Sequence, residues 1–297
     1  MQHYWGIDLG GTKVEGVVLN QAHEVVVRHR LPTEASKGYQ HILGQVVKCI
    51  REMQEQTGLT PTQVGMGAPG SIDAVTGLQK NCNTTVLIGK PMQADLRDLL
   101  GVPLTITNDA NCFAMAEASM GAVKQDYPDA GVVFGIIMGT GVGGGIVING
   151  KVHDGRHRIA GEWGHSVVDP AGPACYCGKT GCVEKFIAGP ALERYYQSVS
   201  GKTARLKEIV QMTADGDAHG QATMDHLMDY FGRALSNVVN ILDPDVIVLG
   251  GGVSNIDQLY TAGRQAVERY TFNGELHTPI IKASLGDSAG VFGAALL

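Results

Sequence analysis

The stretch GEWGHSVVDPAGPACYCGKTGCVE, residues 161–184, holds four side chains that bind soft metals: His165, Cys175, Cys177 and Cys182. Three thiolates and an imidazole are the count and softness that structural zinc favours, and four protein ligands leave no open position for a catalytic ion. The spacing, His-x9-Cys-x-Cys-x4-Cys, departs from the usual C-x2-C ribbon. No C-x-x-C occurs in it, which disfavours thioredoxin-type redox chemistry. A structural Zn²⁺ clasp is therefore the expectation, with three loosely packed free thiols as the bland alternative. Cys49, Cys82 and Cys112 are scattered and read as small buried hydrophobes.

A second chemistry is written in glycine. Asp8-Leu9-Gly10-Gly11-Thr12-Lys13, Gly139-Thr140-Gly141-Val142-Gly143 and Gly250-Gly251-Gly252 each follow a strand-like run. Glycines let backbone N–H groups close on an anion, and a Thr hydroxyl adds a donor. An acid such as Asp8 at a strand end suits a hydrated Mg²⁺ beside phosphates. Two named motifs fail. GTGVGG satisfies G-x-G-x-x-G, but the following GIVING reads as a strand ending in an Asn-Gly turn, where a dinucleotide site needs a helix. DLGGTKV lacks the Walker A frame. Asp109, in LTITNDANC, stands at a strand-to-helix junction, where an Asp serves equally as helix cap or as a carboxylate presented for proton transfer.

The elements that must position these groups follow from periodicity. Residues 4–8, 14–19 and 24–30 read as strands, and 41–56 as a helix with Ile42, Val46, Cys49, Ile50 and Met53 on one face. Strands are expected at 64–70 and 104–107, then a helix that Asp109 could cap and Gly121 could end. Residues 132–138 and 146–150, around the glycine run 139–145, repeat the strand–glycine–strand scheme, a weak internal echo that suggests two related α/β halves. Helices follow at PALERYYQSVS, LKEIVQMTADG and 219–242. A buried strand at 245–252 precedes a helix near 255–270. Two domains are expected: residues 1–121, completed by a C-terminal helix over 288–297, and residues 122–287.

With 297 residues, 44% hydrophobic and 18% charged, the chain has the composition of a globular protein. A net charge of −6 argues against nucleic acid as partner. The uncharged window 131–150 carries eight glycines and an Asn-Gly turn, so it reads as two strands around a loop and not as a membrane span. MQHYWGIDLG has no basic n-region or apolar h-region, which points to the cytoplasm and to free cysteines.

Taken together, DLGGTK, GAPG, NDAN, GTGVGGG, GEWGH and CYCGKTGCVE resemble the ROK family of bacterial sugar kinases and repressors, from Gly6 to the final GVFGAALL. The resemblance implies an α/β, two-domain actin/hexokinase/Hsp70-like (ribonuclease H-like) ATPase fold with a zinc-binding loop. It further implies ATP-dependent phosphorylation of a hexose, with Mg²⁺ as cofactor and a homodimer as the assembly. Asp109 is then the catalytic base. Gly70, Asn83, Asn108, Asp109, Glu162, His165 and Glu184 are the sugar contacts, and Asp8, Gly10, Gly11, Thr12, Lys13, Gly139, Thr140, Gly141, Gly143, Gly251 and Gly252 hold the nucleotide. His165 is expected to ligate metal through one ring nitrogen and to meet sugar through the other. KNCNTTVLIGKP, EWGH and NILDPDVIVLGGGVSN look most like broad-range fructokinases, while the short His165–Cys175 connection also looks like ROK glucokinases. Fructose or glucose is thus the expected substrate, with an N-acetylhexosamine as the alternative. A sugar-sensing repressor is disfavoured, because its DNA-binding segment precedes the kinase-like body and here the phosphate turn begins at residue 8.

Overall fold

The computed structural model describes residues 2–82 and 84–297. The chain runs β1 (Tyr4–Leu9), β2 (Lys13–Leu19), β3 (Val25–Pro32), α1 (Tyr39–Thr57), β4 (Val64–Ala68), β5 (Ser71–Ile72), β6 (Gln79–Lys80), α2 (Met92–Leu100), β7 (Leu104–Asn108), α3 (Asp109–Ser119) and α4 (Ala122–Asp126). It continues as β8 (Val132–Met138), β9 (Val142–Ile148), β10 (Lys151–Val152), α5 (Glu184–Ile187), α6 (Gly189–Ser200), α7 (Leu206–Ala214), α8 (Ala218–Leu242), β11 (Val246–Gly250), α9 (Ala262–Tyr270), β12 (Ile280–Lys282) and α10 (Ala289–Ala295). Among the described residues, no helix is long and apolar enough to cross a membrane.

The strand orders are β3-β2-β1-β4-β7 and β10-β9-β8-β11-β12. In the first sheet β1, β2 and β3 pair antiparallel, and β1, β4 and β7 pair parallel. In the second, β8, β11 and β12 are parallel and β9 pairs antiparallel with β10. The echo in the sequence is thus a repeat of topology. Each copy opens with two strands joined by a three-residue glycine turn, at residues 10–12 and 139–141.

The chain divides into two compact units. One comprises Met1–Asp129, Gly145–Gly161 and Ser284–Leu297; the other comprises Ala130–Gly144 and Glu162–Ala283. In the first, α1 lays Ile42, Val46, Cys49, Ile50 and Met53 against Ile7, Val14 and Val18 of the sheet, as its periodicity predicts. Gly58, in the left-handed region at φ 68°, ends the helix. The opposite face of the sheet carries α10, with Val17 and Leu19 packed against Val291 and Ala295. Glycine makes that approach possible: a Cβ on Gly65 would strike the Ala294 carbonyl, and one on Gly6 would stand 2.5 Å from the Ala295 nitrogen. Helix α3 crosses α10 just as closely, because a Cβ on Gly293 would collide with the Cys112 carbonyl. In the second unit, α8 is capped by Asp217, whose side chain accepts from the Gly220 N–H, and it buries Leu227, Phe231, Leu235 and Val239.

Two local expectations are corrected. Asp109 is the first residue of α3 and not its cap. Asn108, extended at φ −75° and ψ 166°, caps the helix by accepting from the Asn111 N–H. The single helix expected near 255–270 is broken into 3₁₀ turns at Gly252–Asn255 and Asp257–Tyr260 ahead of α9.

Candidate active site

Asp8, next to last in β1, and Asp109, first in α3, line one pocket of about 650 Å³. Gly10, Gly11 and Thr12 of the glycine turn form its floor, and Ala35, Pro69, Thr84, Thr85 and Val86 complete the lining. The turn is tight: the Gly10 N–H donates to the Lys13 carbonyl at 2.8 Å, and the Thr33 hydroxyl donates to the Gly10 carbonyl at 2.7 Å. Burial raises the pKa of Asp8 to about 6, with the nearby Asp109 carboxylate acting in the same direction. Burial likewise raises Asp109, partly offset by the Ala110 N–H it accepts at 2.9 Å. Two carboxyls with elevated proton affinity in one pocket can hold a cation and accept a proton.

Lys13 is placed differently from its expected role on a phosphate. Its ammonium donates to the buried Glu15 carboxylate at 2.8 Å, and Arg30 donates to the same carboxylate at 2.8 Å while Arg28 grips its other oxygen. The register Asp8↔Glu15↔Arg30 puts that cluster one strand away from Asp8. Gly70, at φ 78°, has no room for a Cβ against the Lys80 carbonyl, so it shapes the turn after β4 while its neighbour Pro69 lines the pocket. Asn83 lies outside the described residues.

The second unit assembles the other groups. Glu184, first residue of α5, accepts from the Val142 N–H at 3.1 Å, and a Cβ on Gly141 would stand 2.7 Å from its carboxylate. The Gly189 N–H donates to the Gly139 carbonyl at 2.9 Å, and the Trp163 indole N–H donates to Gly143 at 3.4 Å. The turn at 139–143 is therefore braced by the helix carrying Glu184 and by the 3₁₀ turn Trp163–His165, with Glu162 at that turn's N-cap. Gly251, at φ 81°, packs against the Met138 backbone, whereas Gly252 faces open space. Thr140 is exposed at the tip of its turn.

His165, Cys175, Cys177 and Cys182 present donor atoms that all lie within 4.8 Å of one another. Cys177 Sγ is 3.5 Å from Cys182 Sγ, and Cys175 Sγ is 3.6 Å from His165 Nδ1. Zinc–sulfur and zinc–nitrogen bonds of about 2.3 and 2.0 Å, spread tetrahedrally, place sulfurs about 3.8 Å apart and sulfur and nitrogen about 3.5 Å apart. The separations fit such a site and are far too long for a disulfide. Two isolated bridges, Val167 with Cys182 and Ala174 with Thr180, hold the loop in this shape. A residue missed in the sequence stands next to it. The Tyr176 hydroxyl lies 2.9 Å from His165 Nε2, its ring edge-on to the imidazole, so the nitrogen expected to meet sugar already has a phenol against it. Only its place between two ligand cysteines could have flagged it.

The ROK family's sequence model matches residues 4–297. An N-acetyl-D-glucosamine kinase of Haemophilus influenzae (strain 86-028NP) is 36% identical over 99% of this chain and 98% of its own, and one from Vibrio atlanticus (strain LGP32) is 36% identical over 99% of both. The crystal structure of a ROK hexokinase from Thermus thermophilus superposes with a TM-score of 0.89 at 31% identity, covering 99% of this chain and 97% of that one. A Streptomyces griseus ROK glucokinase, solved with glucose and AMPPNP, gives a TM-score of 0.77 at 27% identity, with 99% and 98% covered. A family match along the whole chain, two sheets of repeated topology and a Cys/His cluster in a loop of the second unit lead to one conclusion: this chain belongs to the ROK family and has its actin/hexokinase-like fold.

Proposed function

We propose that the chain is an ATP-dependent sugar kinase whose preferred acceptor is an N-acetylated hexosamine, N-acetyl-D-glucosamine foremost. The observation that supports the reaction is the pairing of Asp8 and Asp109 in a pocket floored by Gly10, Gly11 and Thr12. Phosphoryl transfer asks little covalent chemistry of the protein: it needs positioning, charge neutralisation and an acceptor for the hydroxyl proton. Asp109 takes the proton of the attacking sugar hydroxyl as the new P–O bond forms and the bond to ADP breaks, and its burial raises its appetite for that proton. Bound Mg²⁺ would neutralise phosphate charge, with Asp8 holding it through water. Residues 10–13, 139–143 and 251–252 are assigned to the nucleotide, and Gly70, Asn83, Asn108, Glu162, His165 and Glu184 to the sugar, by family resemblance. Of these, Lys13 acts in our reading as part of the Glu15 cluster and not as a free cation.

For the acceptor, the curated relatives outweigh the fructose or glucose expectation, since kinases named for N-acetyl-D-glucosamine match at 34–36% identity over 99% of the chain. Glucose is the second reading, favoured by the Thermus and Streptomyces structures at 31% and 27%. We assign zinc to His165, Cys175, Cys177 and Cys182 as a structural clasp, and a cytoplasmic homodimer as the working assembly. A coupled assay measuring kcat/KM for N-acetylglucosamine, N-acetylmannosamine, glucose, mannose and fructose tests the reading. A glucose or fructose value above both acetylated sugars would overturn the acceptor assignment, and ATP turnover indifferent to every sugar would overturn the kinase itself.

A further inference from the structure

The geometry points to Asp154 as a positioning residue that holds the first turn of α3, through Thr107 and Asn111, in the orientation from which Asp109 takes its proton. The inference rests on the sugar-kinase reading above and adds a group that the motifs do not contain.

Asp154 follows β10, some forty residues beyond the base in sequence, yet its Oδ1 accepts from the Thr107 hydroxyl at 2.7 Å and from the Asn111 amide at 3.1 Å. The Asn111 amide also donates to the Thr107 hydroxyl oxygen at 2.9 Å, closing a three-membered ring of hydrogen bonds. Thr107 and Asn111 stand on either side of Asn108 and Asp109 at the β7–α3 junction, and both are buried, with 7% and 4% of their surface exposed. The Asn111 N–H is separately held by the Asn108 cap at 2.7 Å. The Asn111 Oδ1 is buried without a hydrogen-bond partner, so the amide is fixed through its NH₂ alone.

The backbone tells the same story. Gly145 of β9 lies so close to α3 that a Cβ would stand 2.5 Å from the Ala110 carbonyl and 2.8 Å from Asn111 Cα. The hairpin β9–β10 therefore rests on the turn that presents Asp109, and Asp154 at its far end ties that turn down. The Ala160 N–H donates to the Asp154 carbonyl at 3.1 Å, which closes the loop that carries the carboxylate. Buried hydrogen-bond rings of this kind fix one conformation when each donor is used, and a displacement of a reacting group by about 1 Å can cost on the order of a hundredfold in rate.

The test compares Asp154→Ala, Asp154→Asn and Thr107→Val with the parent enzyme, reading kcat, KM for ATP, KM for sugar and thermal midpoint. In Asp154→Ala kcat falls about tenfold or more while KM for ATP changes less than about twofold, because the base is misaimed and the nucleotide turn is untouched. Asp154→Asn, which keeps an acceptor oxygen at Oδ1, restores kcat to within about threefold of the parent. Thr107→Val removes the same bond from its other end and follows Asp154→Ala; it carries the test if the alanine variant does not fold. A lowered thermal midpoint with kcat unchanged in both Asp154→Ala and Thr107→Val would reduce the ring to a structural tie and overturn the inference. So would an asparagine variant as slow as the alanine one. A parent enzyme that phosphorylates no sugar in the panel refutes the kinase reading itself, and is recognised before any variant is made.

Discussion

At the scale of single residues the proposed reaction turns on two acids with different tasks. Asp109→Asn keeps the shape of the turn but removes the proton acceptor, so transfer is lost by orders of magnitude while the fold and metal content stay; kinetics with circular dichroism and metal analysis check this. Asp8 makes a two-sided prediction. Its pKa stands near 6 in the folded chain against 3.8 when exposed. Above pH 6 the folded state bears the full cost of a buried charge. As pH falls from 6 to 3.8 the folded form takes up its proton first and the cost disappears. Asp8→Asn therefore stabilises the protein on the order of 1–3 kcal/mol at pH 8 and gains nothing below pH 4, readable in thermal unfolding at the two pH values. The same variant loses activity, and the parent's kcat/KM for ATP declines on the acid side as pH drops through about 6. An acid limb elsewhere, with no stability gain at pH 8, removes Asp8 from the role.

At the scale of elements, glycine carries positions that no other residue can fill. Gly65→Ala drives a methyl into the Ala294 carbonyl under α10. It should cost at least about 2 kcal/mol, seen as a lowered thermal midpoint without a change in metal content. Much of this layer was legible. The alternating and continuous apolar runs located β1, β2, β4, β7, β8 and β11, and the helical spacing from Ile42 to Met53 located α1. What escaped has physical reasons. Helix α3 buries Ala110 through Glu117 all round, so it shows no stripe from which its inner face could be read. Asn and Asp are equally good caps, and only the backbone at Asn108 decides between them. Asp154 carries no periodic or motif signal, and nothing in KNCNTTVLIGKP marks Thr84 and Thr85 as pocket lining, because tertiary approach alone brings them there. The Cys/His cluster was legible because its donors are local, four in eighteen residues; the pairing of Lys13 with Glu15 was not, because Glu15 lies two residues away on a strand face that the turn motif does not describe.

At the scale of the whole molecule the proposed zinc clasp predicts a separate source of stability. Zinc removal by a chelator should lower the thermal midpoint and weaken sugar binding, since His165 is one of the four donors and Glu184 stands two residues from Cys182; a verified metal-free protein with unchanged midpoint and sugar KM would show the cluster to be idle. A further consequence lies in the order in which the first unit is made. Its sheet begins at Tyr4, but the helix that covers Gly6 and Gly65 comes from residues 289–295, after the whole second unit has been synthesised. On the ribosome, the β1–β4 face that α10 covers is expected to stay open until residues 289–295 have left the exit tunnel. A nascent chain stalled before residue 289 should thus recruit chaperones or expose protease sites within β1 to β4, and those sites should vanish once residues 289–295 have emerged.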